Sequence, residues 1–174
     1  MKLSIAAAAL TLAIALSACS GAATQTLAST KSPTQLLRNE AATRLIDGTD
    51  DSVAEQQDYP ASCKSEAEDP EGLYRSWRST LLASVPADSA IGVDQFVGAL
   101  ATSFAEDGWS LKEDHEGDGT EKISTMTKSS SIVTLKFTST EGDAGEAASV
   151  YIEASGPCVL TDGPESDEVK QLEG

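Results

Sequence analysis

Imidazole, amide and sulfur ligands are scarce in this chain. Its 174 residues hold one histidine (His115), one asparagine (Asn39) and three cysteines (Cys19, Cys63 and Cys158). Transition-metal centres draw on imidazole and thiolate, so there is little material for one. Any Ser-His-Asp arrangement has to use His115. Positive charge is scarce too: 12 Lys and Arg stand against 28 Asp and Glu, for a net charge of −16 and a pI near 4.2. Without a basic stripe nothing displaces the counterions of a nucleic acid, which excludes that class of partner. Aromatic residues make up only 5% and form no aromatic-rich sugar subsite. No GxSxG, SxxK, HExxH or CxxC is present, nor a glycine-rich loop followed by lysine. What remains is a hydrophobic fraction of 40%, enough for one core in a length that fits one domain. The expectation is a protein that is not an enzyme and holds no cofactor.

The only long apolar run lies at the start. Lys2 precedes Leu3–Leu16, a stretch of mostly Ala, Leu and Ile that is too short to span a bilayer as a helix. It ends in Leu16-Ser17-Ala18-Cys19, which resembles a bacterial lipobox. The resemblance implies a diacylglyceryl thioether on Cys19, cleavage after residue 18 and, often, acylation of the new amino group. Such a protein is held at the extracytoplasmic face of the cell membrane by acyl chains, each buried methylene contributing about 0.8 kcal/mol. With Cys19 assigned to lipid, Cys63 and Cys158 are left in an exported chain. An oxidising compartment favours one bridge between them.

Residues 19–32 are mainly Ser, Thr, Ala and Gly and read as a flexible tether. A single domain is expected over 33–160, followed by an acidic, disordered tail over 161–174. Ser32-Pro33-Thr34-Gln35 has the form of a helix start: N-cap serine, proline at the first position and glutamine two further on. Leu37, Ala41 and Leu45 then share one face. Residues 47–70, acidic and turn-rich, read as a long loop pinned by Cys63. Residues 73–85 alternate apolar and polar and predict a strand, although Arg75 falls on the apolar side. Val93, Phe96, Val97, Leu100 and Phe104 predict a second helix. Four strands follow, at 109–114, 122–128, 132–139 and 148–155, separated by Gly-, Asp- and Ser-rich turns.

The order helix, strand, helix, meander predicts an α+β fold, a two-layer sandwich. A mainly antiparallel sheet of about five strands has two helices packed on one face. With its lipobox, a cysteine before the first strand, Asp107-Gly108-Trp109 leading into the meander and Pro157-Cys158 leaving it, this layout resembles a loose group of small actinobacterial lipoproteins. Most of that group carry no assigned activity, so the resemblance implies a compartment and a layout rather than a reaction.

One stretch invites a metal. Asp114, Glu116, Asp118 and Gly119 match positions 1, 3, 5 and 6 of an EF-hand loop, but position 12 is Thr125 where a bidentate carboxylate belongs. The residues are at most a weak calcium candidate, and an acidic hairpin explains them as well. Trp77, Trp109, Phe96, Phe104 and Phe137 read as core. The sequence expectation is therefore an envelope lipoprotein that acts as a binding or accessory module. Its rivals are a carrier sheltering a lipid or small apolar ligand between helices and sheet, and a cell-wall hydrolase using paired carboxylates.

Overall fold

A computed structural model describes residues 25–46, 53–88, 92–116, 121–143 and 146–173. Among the described residues three helices and seven strands follow in the order α1 (Leu27–Ile46), β1 (Val53–Ser62), β2 (Tyr74–Val85), α2 (Val93–Glu106), β3 (Ser110–Glu116), β4 (Glu121–Thr127), β5 (Thr134–Thr140), β6 (Ala148–Ser155), β7 (Val159–Leu160) and α3 (Asp167–Glu173). All pairings are antiparallel, and the sheet order is β1-β2-β6-β5-β4-β3, with the short β7 also on β2. The chain crosses from β2 through α2 to the far edge. It then returns as a meander whose last strand docks beside β2. This is the expected α+β class with an antiparallel sheet, enlarged by two strands and one helix.

Alternation places the core. On β2, Trp77, Leu81, Ala83 and Val85 point towards the helices, as do Leu135 and Phe137 on β5 and Val150, Ile152 and Ala154 on β6. Helix α2 buries Val93, Phe96, Val97, Leu100 and Phe104, the stripe that its spacing predicts. Helix α1 adds Leu37, Ala41 and Leu45. The opposite face of the sheet presents Tyr59, Arg78, Thr80, Tyr151, Glu153 and Lys136 in cross-strand register.

The first helix starts earlier than Ser32-Pro33 suggests. Thr26 caps it: its Oγ1 accepts from the Ser29 N–H (3.2 Å), and Ser29 Oγ accepts from the Thr26 N–H (3.1 Å). Pro33 therefore sits inside the helix, at a cost of about 3 kcal/mol. Burial of Leu27, worth about 2–3 kcal/mol, offsets most of that. Residues 27–32, expected in a tether, are helical.

Two further expectations change. The loop expected over 47–70 contains β1, an edge strand without apolar alternation that carries Pro60, a residue suited to edges. The tail expected to be disordered contains β7's successor, α3. Ser166 Oγ accepts from the Val169 N–H (3.4 Å), and Asp167 and Glu168 favour its first turn. Val169 joins Leu27, Trp77 and Val159 in a second small cluster, apart from the main core. Cys63, just past β1, is bonded to Cys158, just before β7, with Cα atoms 5.8 Å apart.

Candidate functional site

A solvent-open groove of about 560 Å³ runs along the outer side of α1. Its first wall is Pro33, Leu36, Leu37 and Glu40, residues that share a helical face. The second wall is the β4–β5 loop from Lys128 to Val133. Its turn is closed by the Ser131 N–H donating to the Lys128 carbonyl (2.9 Å). Ser131 Oγ stiffens the same loop by accepting from the Val133 N–H (3.0 Å). Trp109 forms the floor and Asp107 one end. Gly108 between them holds φ at +83°, a left-handed turn that swings Trp109 under Phe104. The two rings meet edge to face at 5.8 Å.

The groove's apolar surface is exposed where it counts. Leu36 is 66% and Ile132 45% exposed, one on each wall, while Trp109 beneath is only 7% exposed. Single exposed apolar residues are ordinary; two lining one concavity above a buried tryptophan make this groove the candidate site.

Arg44 organises the charges at one end. Its guanidinium pairs with both Glu40 and Asp107, donates to the Ser103 carbonyl (2.6 Å) and lies 4.1 Å from the Phe104 ring centre. Burial alone would lower its pKa, but the hydrogen bonds and attraction of Asp107 and Glu40 outweigh that and raise it. Both acids lining the groove are thus held by one arginine. Lys128 has no ion-pair partner among the described residues.

A smaller cleft of about 80 Å³ lies on the opposite sheet face, between Glu55, Gln57, Thr80, Leu82 and Tyr151. Burial, reinforced by a hydrogen bond with Tyr59, pushes the Tyr151 phenol up to about 12. Beneath α1 lies a buried polar cluster. The Ser79 hydroxyl is 2.5 Å from Asp58 Oδ1 and 3.1 Å from Thr34 Oγ1, and Arg38 donates to Asp58 Oδ2 (3.0 Å). With Ser79 and Thr34 wholly buried, that cluster seats the helix.

The sequence-derived candidates fall in different places. Cys19 lies outside the described residues. So do Asp118 and the side chains of Asp114, His115 and Glu116, which leaves the calcium candidate without a geometry. Among the described residues no group of three or more His, Cys, Asp or Glu is placed to hold a metal. Nor is any helix among them long and apolar enough to cross a membrane. Trp77, Phe96, Phe104 and Phe137 are core, as read from the sequence; Trp109 is both core and groove floor. Sequence reasoning missed Leu36, Lys128 and Ile132. The available signals were a leucine beside, not on, the α1 core stripe and an isoleucine stranded next to three serines. The chain matches no protein-family model, no curated protein and no solved structure.

Proposed function

We propose that this protein is a non-enzymatic binding module of the bacterial envelope, anchored by lipid on Cys19, and that the α1 groove is its binding surface. The observation that carries this reading is the pair of exposed apolar walls, Leu36 and Ile132, over Trp109. The compartment rests on the lipobox-like Leu16-Ser17-Ala18-Cys19 and agrees with a chain whose remaining cysteines are bonded to each other. A carrier that shelters its ligand between helices and sheet fits less well. There Phe104, Leu81, Phe137 and Ile152 pack into one continuous core, and the concavity lies outside it.

Photo-crosslinking in the native envelope tests the surface. A crosslinking side chain replacing Leu36 should capture a ligand or partner, whereas one replacing Glu55, exposed on the opposite face, should not. Equal yields at both positions would remove the groove as the binding surface. Separately, Cys19→Ala should release the protein from the membrane fraction, and retention there would refute the lipid anchor.

A further inference from the structure

Resting on the reading of the groove as a binding surface, we propose that its occupant is a short extended stretch of a second protein. One apolar residue of that stretch sits between Leu36 and Ile132, a neighbouring peptide group meets the polar end beside Trp109, and the flanking residues are basic.

The polar end of the groove decides the kind of group it takes. Arg44 Nη2 pairs with Glu40 Oε1 and with Asp107 Oδ2. Lys128 reaches the same end, its Cε 4.0 Å from where a Cβ on Gly108 would sit. Two acids and two bases cancel there, so a ligand charge of either sign would meet two like charges. The hydrogen-bonding capacity is not used up, however. Glu40 Oε2, Asp107 Oδ1 and the Trp109 indole N–H have no partner among the described residues, although Trp109 is almost wholly buried. A neutral group that donates to a carboxylate oxygen and accepts from the indole satisfies both sides. A peptide unit carries that pair, one N–H and one C=O. An acyl chain carries neither and would cover these groups unpaired.

One helical turn back from Glu40, the groove changes character. Leu36 on one wall and Ile132 on the other are exposed aliphatic side chains. A sugar ring, hydroxylated all round, would bury its polar groups against them at a cost, whereas an apolar side chain gains from the same contact. Apolar side chain and adjoining peptide group are the two halves of one residue. From Pro33 to Glu40 the wall runs about 10 Å, which is the length of roughly three extended residues. The field of the whole molecule sets the flanks. A chain of net charge −16 repels acidic neighbours of that stretch and attracts basic ones.

The test selects binders from a random displayed peptide library on the full chain carrying Cys19→Ala, and then measures synthetic, end-capped versions by fluorescence anisotropy. Enriched sequences should share one large apolar residue with Lys or Arg close on either side. Replacing that residue by alanine should weaken binding about tenfold, the worth of a half-buried side chain. Methylating the nitrogen of the recognised peptide group should weaken it about fivefold, the worth of one hydrogen bond. Raising salt from about 0.05 M to about 0.5 M should weaken it severalfold. Leu36→Asp and Ile132→Asp, exposed positions on opposite walls, should each abolish binding, with far-UV circular dichroism reporting that the fold is intact. Failure to enrich any sequence, binding indifferent to both substitutions, or binding indifferent to methylation at every nitrogen overturns the assignment. If the selection fails while a crosslinker at Leu36 captures a lipid or a glycan, the groove remains a binding surface and only the peptide falls. If the selection fails and crosslinking is equal at Leu36 and Glu55, the groove reading falls with it.

Discussion

Removing the Cys63–Cys158 bond should do two separable things. The bond closes a stretch of 95 residues, and in the chain-entropy model such a loop contributes about 4.7 kcal/mol by restricting the unfolded chain. Native bridges commonly deliver about 2–4 kcal/mol, so the double variant Cys63→Ser, Cys158→Ser should lose that much unfolding free energy. The second effect is local. Beyond Cys158 the chain is held by the two-residue β7, by two bonds from Thr161 to the Leu73 carbonyl (2.8 Å each), by Lys31 donating to the Leu172 carbonyl (2.7 Å), and by burial of Val159 and Val169. These contacts form a cluster apart from the main core, so the sheet and α2 do not depend on them. Without the bond at its root, the segment 159–173 should open before the rest unfolds. Urea unfolding of the double variant in a Trp109→Phe background separates the effects. Trp77, wholly buried under this segment, should report an early transition, and far-UV circular dichroism a later one. A loss below about 1 kcal/mol, or coincident transitions with Val159–Leu172 amides as protected as that of Phe137, would refute the reasoning.

Four further outcomes are expected. Arg44→Met should destabilise by about 1–2 kcal/mol through loss of the Ser103 bond and the Phe104 stacking, and Arg44→Lys should not rescue it, because an ammonium cannot hold Glu40 and Asp107 in one fork; thermal melts decide. Asp58→Ala should cost about 3 kcal/mol by stranding the buried Arg38 guanidinium, and a destabilisation no larger than that of an exposed control such as Glu55→Ala would contradict it. Gly156→Ala should cost about 1–3 kcal/mol, because the new methyl would sit 2.8 Å from Thr30 Cβ and force α1 off the sheet; an unchanged melting temperature would show that the helix yields freely. Because the Tyr151 phenol is pushed up to about 12, the folded state holds its proton where the unfolded chain has lost it. Tyr151 therefore contributes stability that is complete below about pH 10 and lost as pH rises towards 12. Ultraviolet titration should show one late phenolate, absent in Tyr151→Phe.

What the sequence showed and what it hid follow the same physics. The stripe of α2 and the alternation of β2, β5 and β6 were readable because burial there is decided by apolar side chains at the natural period of each element. β1 was invisible because its inward contacts are polar: Asp58 meets Ser79 and Arg38, so no alternation marks it. The start of α1 was misplaced because Ser32-Pro33 is a good local signal overridden by a tertiary one, Leu27 in the Trp77 cluster. The same cluster explains α3, where the single buried Val169 sufficed against a pocket already built by other elements. The groove was harder still. Its walls come from α1, the α2–β3 turn and the β4–β5 loop, and no single segment carries its pattern.

The earlier start of α1 also changes the geometry of the proposed anchor. From Cys19 to a helix beginning after Ser32 the chain could span about 45 Å; from Cys19 to Thr26 it spans at most about 25 Å, whatever its conformation. Thr26, Ser29, Pro33, Leu36 and Glu40 follow one another at helical spacing along one side of α1. The groove therefore opens about 10 Å along the helix from its capped end, on the side continuous with that end. Lipid on Cys19 would hold the groove within about 35 Å of the bilayer surface, with α3, its acids Asp167 and Glu168 and the preceding Glu165 near the same end of α1. Anionic lipids repel those acids only over a Debye length of about 8 Å at physiological salt, so the repulsion turns the acidic end aside without lengthening the reach. Deleting residues 20–24 would cut that reach by about 17 Å, and the yield of a crosslinker at Leu36 in the native envelope should change with it. Equal yields for both lengths would disconnect the groove from the bilayer.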